Sequence, residues 1–241
     1  MTNLKVNIAG VSFKNPVITA SGCFGFGREY ECMYPLEKLG GISLKGMTFQ
    51  EKLGNPPPRI AETPSGMLNS VGLQNPGVEH FLEYDMPYLA KQDTVKIANI
   101  AGSSIEDYCA IAERLSESEI DMFELNISCP NVKQGGAAFG TSCESAERVV
   151  KEVRKYAKKP MIVKLSPNVT DIVSIAKAVE AQGADAVSLI NTLLGMRIDI
   201  NTRRPILKNN VGGLSGPAIF PVAVRMVWQG ANAGKGPVIG M

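Results

Sequence analysis

Histidine is nearly missing from this chain: His80 is the only one in 241 residues. A nucleophile–histidine pair therefore has one candidate base. His80 sits in Val78-Glu-His-Phe-Leu-Glu, a helical pattern in which a surface or boundary histidine is the ordinary outcome. Cysteine is sparse and odd in number, five residues at 23, 32, 109, 129 and 143, with no C-x-x-C pair. That spacing excludes an iron–sulfur cluster or zinc site held by this chain, and no metal is expected. It also fits a reducing, cytoplasmic compartment, as does the missing secretory h-region after Met1. Charge of one sign is missing too: the net charge is +2. Lys and Arg are scattered with no aromatic-interleaved basic stripe, so a nucleic-acid partner is not expected. No apolar run reaches bilayer length, so no membrane span is expected.

What remains is a chain with 44% hydrophobic residues, enough for a full core in a single domain spanning residues 1–241. Residues 6–13 alternate around a glycine turn and predict a small hairpin. After it, apolar strands are predicted at 16–21, 42–45, 94–99, 122–126, 160–164, 185–191 and 237–240. Helices are predicted at 29–39, 77–91, 104–116, 142–156, 170–182 and 216–229. The Ser103-Ser104 pair with Asp107 reads as a capping box, and Thr170 or Asn168 as the cap of a later helix. Two excursions interrupt the alternation. One runs through Asn55-Pro-Pro-Pro-Arg59 to Asn69, and the other spans residues 192–210. Near-continuous apolar strands alternating with amphipathic helices predict a parallel sheet with crossover helices. Polar residues recurring at the strand ends favour a (β/α)₈ barrel over a doubly wound sheet. Gly22, Gly25 and Gly27 have the wrong spacing for a dinucleotide fingerprint, and no acidic residue ends the second strand.

The last residues of the predicted strands are Ser21, Lys45, Asn99, Asn126, Lys164 and Asn191, followed by Thr192. In a barrel these converge on the face where active sites lie. A lone lysine there would read as a solvated terminus. Two lysines with three asparagines instead suit a polar, partly anionic ligand rich in hydrogen-bonding groups. A planar heterocycle such as flavin fits: lysine stabilises the reduced ring's negative charge, and amides bond its carbonyls and nitrogens. Asn69 and Asn131 form a second tier facing a stacked substrate. Cys129, just before Pro130 and a glycine-rich loop, is either a buried structural thiol or a base, since a thiol titrates near pH 8.5.

Six segments carry a family resemblance. They are Ala20-Ser-Gly-Cys-Phe-Gly-Phe-Gly27, Asn69-Ser-Val-Gly-Leu-Gln-Asn-Pro-Gly77, Glu124-Leu-Asn-Ile-Ser-Cys-Pro-Asn-Val-Lys133, Val163-Lys-Leu-Ser-Pro-Asn-Val-Thr-Asp171, Ile190-Asn-Thr192 and Gly212-Gly-Leu-Ser-Gly-Pro-Ala218. In these the chain resembles the class 1 dihydroorotate dehydrogenases, most closely the NAD-dependent type 1B catalytic subunit. The resemblance implies a TIM barrel that oxidises (S)-dihydroorotate to orotate in pyrimidine (UMP) biosynthesis. It implies FMN held by Ser21, Lys45, Gly46, Asn99, Asn126, Lys164, Ile190 and Gly216. Substrate contacts are implied for Lys45, Asn69, Ser70, Val71, Gly72, Leu73, Asn126, Asn131, Asn191 and Thr192. Cys129 matches the family's catalytic base, and Lys164 is implied to stabilise the electron-rich flavin. A central homodimer is also implied, completed to a heterotetramer by an electron-transfer subunit carrying FAD and a 2Fe–2S cluster, with NAD as final acceptor. A dihydropyrimidine dehydrogenase domain shares the barrel and the type of active cysteine, and would prefer uracil. An inactive truncated fragment would keep the motifs without activity.

The sequence departs from the family at its end. The family continues past Gly240-Met241 into two glycines, a helix, an eighth strand and a closing helix. The expectation is therefore a C-terminally truncated barrel with exposed strand edges and part of the phosphate site missing. Gly230, Gly234 and Gly236 stand where larger apolar residues are usual; within a helix each costs about 1 kcal/mol relative to alanine. Gly236 is expected at or past the helix end.

Overall fold

The computed structural model describes residues 2–128 and 139–241. Its centre is a curled sheet of seven parallel strands. In chain order these are β3 (Ile18–Thr19), β4 (Gly41–Ser43), β7 (Val95–Ile100), β8 (Met122–Asn126), β9 (Met161–Lys164), β10 (Ala186–Leu189) and β15 (Val238–Gly240). Spatial order follows chain order, as right-handed βαβ connections give in a barrel. β3 and β15 are the two open edges of the sheet.

Strand alternation sorts the side chains into two sets. Outward-facing Ile42, Ala98, Ile100, Phe123, Leu125, Met161, Val163, Val187 and Leu189 join the main core. Against them pack Tyr108, Ile111 and Leu115 of the helix Ile105–Ser116, Val149, Val150 and Val153 of Cys143–Arg154, and Ile175 and Val179 of Ile172–Ala181. The inward set is layered. Ile97, Met122, Ile162 and Ala186 form an apolar floor. The hairpin of β1 (Val6–Ile8) and β2 (Val11–Phe13) plugs it from below with the fully buried Phe13. Gly41 lets Phe13 in: a Cβ there would meet the ring at 2.9 Å. Two residues further along the strands stand the buried polar residues Ser43, Asn99, Glu124, Lys164 and Ser188, and two beyond Glu124 stands Asn126.

Both excursions form one antiparallel sheet. The strands are β5 (Ile60–Thr63), β6 (Gly66–Asn69), β11 (Leu193–Met196) and β14 (Val211–Ser215), in the order β11-β14-β6-β5. A further small pair joins β12 (Ile198–Asp199) and β13 (Arg204–Pro205). Thr63-Pro-Ser-Gly66 supplies a hairpin turn whose glycine sits at φ +153°, and a Cβ on it would meet the Ser215 carbonyl at 2.1 Å. The Pro-Ser-Gly turn signal lies within the first, proline-rich excursion.

Three local expectations are corrected. The predicted helix 29–39 is two short 3-10 turns, Arg28–Tyr30 and Leu36–Lys38. Pro35 separates them: it lacks an N–H, and its neighbour Tyr34 is pushed off helical geometry. The helix expected to be capped by Thr170 or Asn168 is capped by Asp171, whose Oδ1 accepts from the Val173 and Ser174 N–H groups. The last helix is Phe220–Ala233. Of the three glycines expected to weaken it only Gly230 is interior, and there a Cβ would lie 2.7 Å from Leu189 Cδ1. Gly234 is the C-cap, and Gly236 lies beyond, donating its N–H to Glu180 Oε1 at 3.0 Å. Close helix–sheet packing accounts for the glycine at 230.

Candidate active site

A cavity of about 750 Å³ opens at the carboxyl ends of the barrel strands. Its floor and walls include Ser21, Lys45, Gly46, Asn126, Lys164, Ile190, Asn191, Thr192 and Gly216. The antiparallel sheet closes over one side with Ile60, Met67, Asn69 and Ser215. Val71, Gly72 and Leu73 line it as well. The volume suits a flavin-sized ligand with a small substrate.

Lys164 is the electrostatic centre. It is 5% exposed, and its ammonium has no hydrogen-bond or ion-pair partner among the described residues. A buried cation with no direct ion-pair partner among the described residues suits an anionic or electron-rich ligand. Lys45 reaches the same cavity, its backbone N–H held by the Gly25 carbonyl at 2.9 Å. The amides are tied together rather than loose. Asn191 Nδ2 donates to Ser128 Oγ at 2.7 Å and to Asn126 Oδ1 at 3.5 Å. The Thr192 N–H donates to Asn191 Oδ1 at 2.8 Å.

The segment lining the other wall is held by its own scaffold. Asn55 Nδ2 donates to the Ser70 carbonyl at 2.9 Å, and the Ser70 N–H donates to the Arg59 carbonyl at 2.7 Å. Asn75 takes the Thr48 and Gly77 N–H groups on Oδ1 and donates to the Leu73 carbonyl at 2.6 Å. Leu73 is held at φ +57°, a left-handed conformation that needs such clamping.

Asn99 and Ser70 do not line the cavity. Asn99 lies one layer down and donates to Glu124; Ser70 is fully buried, and its hydroxyl has no hydrogen-bond partner among the described residues. Cys129 and Asn131 lie outside the described residues. Sequence reading missed Cys23, Met67, Phe220 and Ala223 on the cavity wall. Of these only Cys23 carried a signal, the glycine-rich loop after the first strand; the others lie on elements whose placement is tertiary.

A family model described as dihydroorotate dehydrogenase matches residues 3–241. The chain belongs to the dihydroorotate dehydrogenase family. A relative from Alkaliphilus metalliredigens, named dihydroorotate dehydrogenase B (NAD(+)), catalytic subunit, is 62% identical over 239 residues, 99% of this chain and 79% of its own length. One of the same name from Listeria welshimeri is 57% identical over 242 residues, covering 100% of this chain and 80% of that one. Among solved structures, dihydroorotate dehydrogenase from Eimeria tenella in complex with ferulenol aligns with a TM-score of 0.79. It is 20% identical and covers 96% of this chain and 70% of that one. That likeness is one of fold, and it agrees with the barrel expected from the strand–helix alternation. No helix among the described residues is long and apolar enough to cross a membrane.

Proposed function

We propose that this chain is the catalytic subunit of an NAD-linked dihydroorotate dehydrogenase, with FMN and dihydroorotate side by side in the 750 Å³ cavity. The observation that carries the reading is Lys164, a buried ammonium with no ion-pair partner among the described residues, lining that cavity beside Asn126 and Asn191. FMN, when bound, supplies the two-electron acceptor for oxidation of the substrate's CH–CH bond. Lys164 would favour the electron-rich state of its ring by charge. Ser21, Lys45, Gly46, Ile190 and Gly216 would complete the hold on it, with Asn99 supporting from below. Lys45 also suits the substrate carboxylate. Asn69, Val71, Gly72, Leu73, Asn126, Asn131, Asn191 and Thr192 would orient the pyrimidine ring, with Ser70 behind them. Cys129, as thiolate, would take the proton from the carbon beside the substrate carbonyl.

The relatives' name, catalytic subunit, supports a second subunit as the route of electrons to NAD. FAD and a 2Fe–2S cluster belong to that partner in this reading. Exposed Leu194, Met196, Ile198 and Val211, on and beside the antiparallel sheet, support a homodimer seated there and a heterotetramer overall. The assembly would work in the cytoplasm.

The test is anaerobic mixing of the FMN-loaded chain with dihydroorotate, followed by flavin absorbance. Wild type should bleach, and Cys129→Ala should retain FMN but slow bleaching by at least about 10²-fold, the usual contribution of a positioned base. Bleaching of the variant at the wild-type rate removes Cys129 from the base role. Preference for uracil over orotate as the bound pyrimidine overturns the substrate.

A further inference from the structure

Glu124 lies one layer beneath the cavity and is 2% exposed. A carboxylate so far from water needs hydrogen-bond donors. It accepts from Ser43 Oγ at 2.8 Å and Asn99 Nδ2 at 2.6 Å on one oxygen, and from Ser188 Oγ at 2.8 Å on the other. None of these groups lines the cavity, and the chemistry proposed above does not use Glu124.

Its position does constrain that chemistry. Because Asn99 Nδ2 donates to the carboxylate, Asn99 turns its NH₂ toward Glu124 and its carbonyl oxygen away. Asn126 Nδ2 donates to that oxygen at 3.4 Å. Asn126 Oδ1 then faces the opposite way, where it accepts from the Ser128 N–H at 3.4 Å, the Ser128 hydroxyl at 3.0 Å and Asn191 Nδ2 at 3.5 Å. Asn191 Oδ1 accepts the Thr192 N–H at 2.8 Å. Backbone N–H groups only donate. Between the acceptor that Glu124 presents below and the backbone donors above, each of the three amides has one consistent orientation.

We propose that Glu124 is a positioning residue: by orienting Asn99 it keeps an acceptor opposite Asn126 Nδ2, and so reinforces from below the donor–acceptor order that the Ser128 and Thr192 N–H groups impose on Asn126 and Asn191 from above. The proposal rests on the reading that the cavity holds FMN and orotate. Without the carboxylate, Asn99 gains a second orientation in which its NH₂ opposes that of Asn126. Asn126 is then held from above alone, and its amide presents itself to the bound pyrimidine less firmly.

The test measures orotate affinity of the FMN-loaded chain from the change in flavin absorbance, without turnover, alongside unfolding in urea. Glu124→Gln keeps an acceptor for Asn99 and should bind orotate within about threefold of wild type. Glu124→Met fills the space without accepting and should weaken orotate by about fivefold to tenfold, the worth of one net hydrogen bond. Ser188→Ala removes a bond from the same carboxylate but leaves Asn99 oriented; it should lower stability while orotate affinity stays within about threefold of wild type. Equal weakening in Glu124→Gln and Glu124→Met makes charge, not amide direction, the contribution, and overturns the proposal. So does wild-type affinity in Glu124→Met, or weakening in Ser188→Ala that matches it. Should Glu124→Met yield no folded protein, Asn99→Ala decides: loss of orotate affinity by fivefold or more supports the relay, and wild-type affinity overturns it. A wild-type chain that takes up neither FMN nor orotate overturns the functional reading itself, and this proposal with it.

Discussion

Lys164 stands directly opposite Asn126 across two hydrogen-bonded parallel strands, and both side chains line the same cavity. The amide brings donor and acceptor to the ligand, and the lysine brings charge. With no ion-pair partner among the described residues, the buried ammonium is held at a cost to the empty protein that a bound anion would offset. Lys164→Met should therefore make the FMN-free chain more stable by about 1 kcal/mol or more in urea unfolding, since an unpaired buried charge is removed. The same variant should lose FMN affinity by at least about tenfold, the cost of one charge-assisted contact. An FMN-free variant less stable than wild type would mean that Lys164 has a counter-charge in solution.

Gly213 makes a second, less obvious demand. A Cβ built there would lie 2.0 Å from Thr192 Oγ1 and 2.7 Å from Thr192 Cβ. Gly213 is the Cα partner of Asn69 in the antiparallel sheet, and Asn69 Nδ2 donates to its carbonyl at 3.5 Å. Gly213→Ala should push Thr192 away from the cavity and raise the orotate dissociation constant by about tenfold, the equivalent of one well-placed hydrogen bond. Residues assigned to FMN are not displaced, so FMN content should be unchanged. Orotate titration of the FMN-loaded variant checks both. A wild-type dissociation constant would show that Thr192 does not contact the substrate.

Most of the site was legible because barrel strands end in it, and polar residues at the ends of apolar runs are conspicuous. That pattern marks Lys45, Asn126, Lys164, Asn191 and Thr192, and all line one cavity. The same rule placed Asn99 too high. Strand alternation, not the strand's last residue, decides which layer a side chain joins, and Asn99 shares its layer with Glu124 and Ser43. Glu124 was hidden for a related reason: inside an apolar run a carboxylate reads as an interruption, and its three donors come from three other strands. The antiparallel sheet was invisible because β6 pairs with β14, about 140 residues away, and no local pattern announces so distant a partner. The cap is Asp171 rather than Thr170 or Asn168: three residues able to cap stand within four positions, and local backbone geometry decides among them.

Asp171 gives a pH dependence with a definite sign. Its carboxylate accepts from Ser174, through both side chain and backbone, and from the Val173 N–H at the start of the helix Ile172–Ala181. These bonds, led by the Ser174 hydroxyl, hold its pKa below the ordinary 3.8. The ionised form is the one that caps, so the folded state binds this proton less readily than the unfolded state. The stabilisation is fully present above the unfolded-state value and is lost as pH falls through the lower folded-state value. Asp171→Ala should thus be less stable than wild type at neutral pH by an amount that stays constant down to about pH 5, where both states are ionised. Below that the two stability curves should converge, because wild type is losing what the variant already lacks. Urea unfolding of both proteins across this range checks it, and a gap that widens on acidification would reverse the assigned sign.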